Sequence, residues 1–118
     1  MSTKPPECWA SDPQARALRV EVSPERSLLL PFDQFSFSEL TNEGKEQRLR
    51  FVFSTHEVVV RGHALRRIET VMQRMELSFI AKAQDGSRPL AAEGQPVILA
   101  IIVNAVNPPG SAAQNSNN

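Results

Sequence analysis

Apolar and polar residues alternate along much of the first half of this chain, and a period of two is typical of β-strands that bury one face. The alternation runs through residues 17–22, resumes at residues 27–30 after a turn signal, and returns at residues 35–38. Residues 47–54 and 58–60 continue it, and the side chains predicted to face the core there are Leu49, Phe51, Phe53, Val58 and Val60. The pattern therefore predicts a series of antiparallel strands.

The period changes to steps of three and four after Gly62, which indicates one amphipathic helix over about residues 63–75. Its apolar stripe is predicted to consist of Leu65, Ile68, Val71, Met72 and Met75. We expect Gly62 to act as a permissive exit from the preceding strand, since glycine tolerates backbone conformations that other residues avoid.

Two more strands are predicted after the helix, one alternating at residues 77–81 and one apolar throughout at residues 97–103. A strand that is apolar on both faces is either central in its sheet or covered by another surface. At an edge it would be an aggregation hazard, which a second copy of the chain could cover. The side chains we predict to mediate such self-association are Val97, Leu99, Ile101, Ile102 and Val103.

The order of strands, one helix and two strands predicts an α+β fold. In this fold the helix packs on a small twisted antiparallel sheet or half-open barrel. Residues 1–15 and 107–118 are rich in proline, small and polar residues, so we predict two disordered tails around one globular domain at residues 16–106. A chain of 118 residues is too short for two ordinary domains.

Charge is balanced overall but uneven along the chain, with 13 basic and 13 acidic residues in total. Residues 45–75 contain seven basic and three acidic residues, a net charge of +4, whereas residues 20–44 contain one basic and five acidic residues, a net charge of −4. A zero net charge gives no general attraction to nucleic acids or anionic membranes, so any such attraction must come from the basic segment.

The arginines of the basic segment are its candidate binding residues: Arg48, Arg50, Arg61, Arg66, Arg67 and Arg74. Three hypotheses fit them, namely a solvated face with weak ion pairs, a protein contact and a nucleic-acid surface. Nucleic acid is not favoured because aromatic stacking residues are scarce: the chain has no tyrosine, and its one tryptophan falls in the predicted N-terminal tail.

No pattern of catalytic or metal-binding residues stands out in the sequence. His56 and His63 lack further ligands at the spacing of a metal site, so we expect both to face water. The chain contains neither a Gly-x-Ser-x-Gly elbow nor a glycine-rich phosphate loop. Asp33 is a candidate acid, although a turn residue after Pro31 is the favoured interpretation. We therefore predict no enzyme activity, no metal and no cofactor.

These observations favour a non-catalytic binding or assembly module that acts through protein–protein contact, either as a homodimer or with another protein. The alternative hypothesis is a nucleic-acid-binding domain that uses residues 45–75. We expect a cytoplasmic location, because the N-terminus has no apolar signal segment and the chain has one cysteine. A membrane partner is not expected, since the longest apolar run is well short of the ~20 residues of a spanning helix.

Overall fold

The chain forms two four-stranded sheets and one short α-helix in the computed structural model, which describes residues 8–83 and 94–106. The elements in chain order are β1 (Trp9–Ser11), β2 (Ala17–Ser23), β3 (Arg26–Pro31), a 3-10 turn (Phe32–Gln34), β4 (Phe35–Glu43), β5 (Glu46–Phe53), β6 (His56–His63), α1 (Arg66–Gln73), β7 (Leu77–Ala81) and β8 (Val97–Ala105).

Strands β1, β7, β2 and β3 form the first sheet in that spatial order, and β4, β5, β6 and β8 form the second. All neighbours in the second sheet are antiparallel, whereas β2 and β7 of the first sheet run parallel. The turn between β4 and β5 contains Gly44 at a φ of +69°, a left-handed conformation that glycine adopts without steric cost. Sequential hairpins therefore build three strands of the second sheet, and β8 joins β6 from a distant part of the chain.

The core is one hydrophobic cluster to which both sheets and the helix contribute. From β5 and β6 it takes every side chain that the period of two predicts to be buried, so the inner face of these two strands is confirmed: Leu49, Phe51, Phe53, Val58 and Val60. On β4 the same alternation is wrong for Phe37, which is exposed because the register shifts between Phe35 and Phe37. Phe35 packs edge-on against Phe51 and Phe53, with ring centroids 6.2 and 5.4 Å apart. These T-shaped contacts fix the start of β4 against the centre of the sheet.

The predicted α+β class is wrong, because the described residues are mostly β, with 62% in strands and 12% in helices. The pattern of alternation identified the strands but not their division between two sheets, which depends on pairings between distant residues. The helix is also shorter than predicted. Ala64 and Met75 have positive φ angles of 57° and 58°, and a right-handed helix cannot continue through such residues. Of the predicted stripe, Leu65, Ile68 and Met72 are buried, whereas Met75 is exposed.

The predicted N-terminal tail extends too far into the chain. Cys8 is buried, and its carbonyl accepts a hydrogen bond of 2.8 Å from the amide of Ala81. Trp9 pairs with Ile80 in strand β1 and packs against the core, so the boundary predicted at residue 15 is too late. A proline-rich composition concealed a short edge strand held by one large aromatic side chain. The remaining parts of the two predicted tails, residues 1–7 and 107–118, lie outside the described residues.

Candidate functional site

Strand β8 occupies an edge of the second sheet, where it pairs only with β6 among the described residues. The sequence left open whether this apolar strand is central or covered, and the structure places it at an edge. Edge strands in natural proteins are usually shortened or protected by charged residues or proline, because their unpaired backbone groups can bind another chain. The sequence of β8, VILAIIVNA, contains neither a charge nor a proline.

The direction of the free backbone groups on β8 follows from one hydrogen bond at the end of the strand. The amide of Val106 donates to the carbonyl oxygen of Thr55 at 2.9 Å, on the side of β6. Because bonded and non-bonded pairs alternate along an antiparallel ladder, Ile102 also bonds toward β6. The residues whose backbone groups point away from β6 are therefore Ile101, Val103 and Ala105.

No backbone hydrogen bond to the outward-facing groups of these three residues is present within residues 8–83 and 94–106. The start of the strand is different, since the amide of Ala83 donates to the carbonyl oxygen of Ile98 at 2.7 Å. The edge is thus closed near Ile98 and open over residues 101–105. We call this stretch the open edge.

The side chains predicted to mediate self-association are divided by the structure into buried and exposed sets. Val97 is buried, and Ile101 and Val103 are half-buried against the core. Leu99 and Ile102 are exposed, with 38% and 46% of their surface accessible. The apolar surface available beside the open edge therefore consists mainly of these two residues.

A bulge at Leu99 sets the position of the open edge relative to the core. Arg61 lies opposite Ala100 and Gly62 lies opposite Ile98, so Leu99 has no partner on β6. At this point a Cβ atom on Gly62 would lie 1.9 Å from the carbonyl oxygen of Val97. Glycine is thus required here for close approach of two strands, a role that differs from the strand exit predicted from the sequence.

The solvent-facing side of the second sheet carries a chain of ion pairs. Arg50 hydrogen-bonds to Glu57 and lies 3.5 Å from Glu39, and its guanidinium stands 5.6 Å from the centre of the Phe37 ring. The hydrogen bond from Arg50 lowers the pKa of Glu57, against the opposing effect of partial burial, and a second hydrogen bond from Asn104 contributes. The same hydrogen bond raises the pKa of Arg50. This network extends from β4 to β8.

The six candidate arginines fall into two sets on different sides of the second sheet. Arg48, Arg50 and Arg61 lie on its solvent-facing side, where their positive charge is outnumbered. The carboxylates on the same side are Glu39, Glu43, Glu46 and Glu57, so these seven side chains sum to a charge of −1. Arg61 pairs with Glu46 at 2.9 Å. The other set consists of exposed residues on or beside α1, whose buried stripe faces the core side: Arg66, Arg67 and Arg74. The continuous basic patch predicted from the sequence is therefore divided.

The residues considered for catalysis lie apart from one another. His56 Nδ1 lies 2.9 Å from the hydroxyl of Thr55, His63 ends β6, and Asp33 is exposed in the 3-10 turn. Within the described residues no three His, Cys, Asp or Glu side chains come together as a metal site would require. No α-helix in the same part of the chain is long and apolar enough to cross a membrane.

An open cleft of about 410 Å³ lies between α1 and β4, and its lining combines an apolar floor with a few polar groups: Phe35, Ser38, Glu69, Met72, Gln73 and Met75. The hydroxyl of Ser38 lies 3.5 Å from the carboxylate of Glu69, the long limit of a hydrogen bond. Within the described lining, Glu69 is the only charged residue beside this hydroxyl.

Comparison with protein-family models, with curated proteins and with solved structures finds no match to this chain. Its function is therefore inferred from the geometry of its own residues.

Proposed function

We propose that this protein is a non-catalytic cytoplasmic assembly module that binds another polypeptide strand at the open edge of β8. The observation that carries the proposal is the row of outward-facing backbone groups at Ile101, Val103 and Ala105, beside the exposed side chain of Ile102. In strand addition of this kind, backbone hydrogen bonds supply affinity and alternate side chains supply specificity.

The other sheet edges support this choice because each carries a feature that discourages pairing. Strand β1 has only three residues, β3 begins with Arg26 and ends with Pro31, and β4 contains Glu39 and Glu43. Short length, charge and proline are the features by which natural proteins prevent contacts between edges. Only β8, among the four edge strands of the two described sheets, combines length with an apolar and uncharged sequence.

The test uses a synthetic peptide of residues 99–105 flanked by lysines for solubility, titrated into the isotope-labelled full chain. We expect chemical-shift changes and slower hydrogen exchange at the amides of Ile101, Val103 and Ala105. The control is Val103→Pro, which removes an outward-facing amide and no bond to β6, because proline is tolerated where the amide faces solvent. This variant should stay folded and bind the peptide at least about 10-fold more weakly. If the folded parent is monomeric and still does not bind the peptide at millimolar concentration, strand addition is refuted.

Nucleic-acid binding is the alternative proposal, and it rests on the exposed arginines of the helical set. Because the three arginines of the sheet lie among four carboxylates, binding to phosphate would depend on Arg66, Arg67 and Arg74. Fluorescence anisotropy with a labelled single-stranded oligonucleotide, in the parent and in Arg66→Glu/Arg67→Glu, separates the two proposals. We expect only weak binding that disappears as salt rises to physiological concentration. Sub-micromolar binding at physiological salt, lost in the double variant, would favour nucleic acid over protein contact.

A further inference from the structure

The open edge of β8 can pair with the same edge of a second copy of the chain. Two copies related by a two-fold axis present the same surface to each other, and two identical strands paired in this way run antiparallel. Resting on the function proposed above, we infer that the partner at this edge is a second copy of this chain. The two β8 strands pair antiparallel, with Ile102 opposite the partner's Ile102, and join the two second sheets into one continuous sheet.

Backbone pairing limits the registers available to this dimer. Outward-facing residues must meet outward-facing residues, so the two-fold axis can pass beside any residue from Ile101 to Asn104. An axis at Asn104 would pair Val103 with the partner's Ala105 and leave Ile101 without a described partner. An axis at Ile101 would bring Val103 opposite the partner's Leu99, in the bulge, and Ala105 opposite the stretch where Ala83 closes the edge. An axis at Ile102 instead pairs Ile101 with the partner's Val103 twice, which gives about four new backbone hydrogen bonds and leaves only Ala105 opposite the bulge. An axis at Val103 would pair all three outward-facing residues and give about six such bonds, so the choice between these two axes depends on the side chains.

The side chains favour the axis at Ile102 over the axis at Val103. Ile102 lies opposite Val59 on β6, and Val59 is only 5% exposed although it is on the solvent-facing side of the sheet. These two residues form an apolar island within the charged surface. With the axis at Ile102, the islands of both copies become continuous. With the axis at Val103, Ile102 would face the partner's Asn104, whose amide is bonded to Glu57.

Charge on the solvent-facing side agrees with the same register. On β6, Arg61 lies directly opposite Ala100 of β8, and Glu57 lies directly opposite Asn104. An axis at Ile102 brings Ala100 opposite the partner's Asn104. Arg61 and the partner's Glu57 then lie on one line across the four strands, separated by these two residues. The two backbones are then three strand spacings apart, about 14 Å, and the long side chains shorten that gap. Attraction over this distance selects the register more than it adds affinity.

The register predicts a specific disulfide. A non-hydrogen-bonded antiparallel pair has a Cα···Cα distance of about 4.5 Å, which lies within the range that a disulfide spans. Ile102→Cys should therefore form a covalent dimer on mild oxidation. Asn104→Cys, two residues away on the same face, should not, because its Cα would lie about 14 Å from that of the partner's residue 104. The parent, in which the buried Cys8 is the only cysteine, should remain unlinked under the same conditions.

Light scattering coupled to size exclusion gives the second readout on the full chain at micromolar concentration. We expect the parent to elute with twice the chain mass. Ile102→Lys should be a folded monomer, with a dissociation constant raised at least about 100-fold, because two like charges would lie directly opposite each other. Leu29→Lys is the matched control, since Leu29 is an exposed apolar residue on an edge strand of the first sheet, and it should leave the dimer intact.

Each contrary outcome has a distinct meaning. A parent that is monomeric at high concentration while still binding the β8 peptide would overturn the dimer and leave strand addition standing. A dimer that persists in Ile102→Lys, or one that Ile102→Cys does not cross-link, would overturn the register. A dimer dissociated by Leu29→Lys would place the interface on the first sheet and overturn the inference.

Discussion

Substituting alanine for Gly62 tests the feature that brings β8 against β6. An added Cβ would lie 1.9 Å from the carbonyl oxygen of Val97, 3.0 Å from its carbonyl carbon and 3.1 Å from the Cα of Ile98. All three contacts are with backbone atoms, so rotation of a side chain cannot relieve them. The start of β8 must move by more than about 1 Å to restore an ordinary contact distance.

The cost of Gly62→Ala can be bounded from the groups that this movement disturbs. Overpacking alone costs about 1–3 kcal/mol in well-packed sites. Val97 and Ile98 are buried at the point of contact, and each contributes about 1.5–3 kcal/mol by its burial. Partial loss of that burial outweighs the gain of about 0.4–1 kcal/mol from reduced chain entropy in the unfolded state. We therefore expect the free energy of unfolding to fall by about 3 kcal/mol or more.

Urea unfolding followed by the fluorescence of Trp9 provides the assay. Trp9 is the only tryptophan and packs against the core, so its emission reports on the folded state. With a denaturant slope of about 1 kcal/mol/M, a loss of 3 kcal/mol lowers the urea midpoint by about 3 M. Domains of this size have stabilities of about 5–15 kcal/mol, so the variant should be weakened strongly and still measurable.

Gly44→Ala is the control for the general effect of losing a glycine. Gly44 has a positive φ, and an added Cβ there would meet no atom within 4 Å, so its substitution costs only backbone strain, about 1–2 kcal/mol. If Gly62→Ala and Gly44→Ala unfold at the same urea concentration, then β8 does not approach β6 as closely as described. Gly62 would then have no steric role at the bulge.

Two further variants test the core and the ion pairs. Phe51→Ala should cost about 3–5 kcal/mol because its side chain is buried, whereas Val52→Ala, on the solvent-facing side, should cost about 1 kcal/mol; equal urea midpoints would show that the strand face is assigned wrongly. Since the pKa of Glu57 is lowered in the folded state, its contribution to stability should be complete above the unfolded value of about 4.3 and lost as pH falls through the lower folded value. Urea midpoints between pH 6 and pH 3 should therefore fall more steeply in the parent than in Glu57→Gln, and parallel curves would contradict the ion pair.

Local periodicity was sufficient to identify the inner faces of β5 and β6, although not that of β4, where a register shift exposes Phe37. Leu49, Phe51 and Phe53 are buried because side chains alternate along any strand, whatever its neighbours are. The strand that pairs with each strand could not be predicted from the same pattern. The parallel pairing of β2 with β7 joins residues about 60 positions apart, such as Arg19 and Phe79, and no local signal specifies it. The division into two sheets, and so the fold class, depended on such pairings.

The basic segment shows why counting charges along the chain was misleading. Arg50 lies near Glu39, and Glu43 lies opposite Glu46 on the same face, and both Glu39 and Glu43 are outside the segment. A net charge summed over consecutive residues cannot include a carboxylate that a neighbouring strand supplies. The helical arginines are different, because the period of the helix alone determines which of its residues face away from the core. Their exposure was therefore predictable.

The apolar run in β8 can be explained by burial in the core or by an interface with another chain. The bulge at Leu99 shows which residues the core accounts for. In a strand without a bulge, only every second side chain would face the core. At Leu99 the phase changes, so that Ile98 faces the core before the bulge and Ile101 and Val103 face it after the bulge. The fold itself therefore accounts for much of this apolar run, and the run alone does not establish an interface. What the core does not explain is the exposure of Leu99 and Ile102 beside backbone groups that have no partner among the described residues. Self-association is accordingly inferred from these two residues and the open edge, and Ile102 is the position at which it is tested.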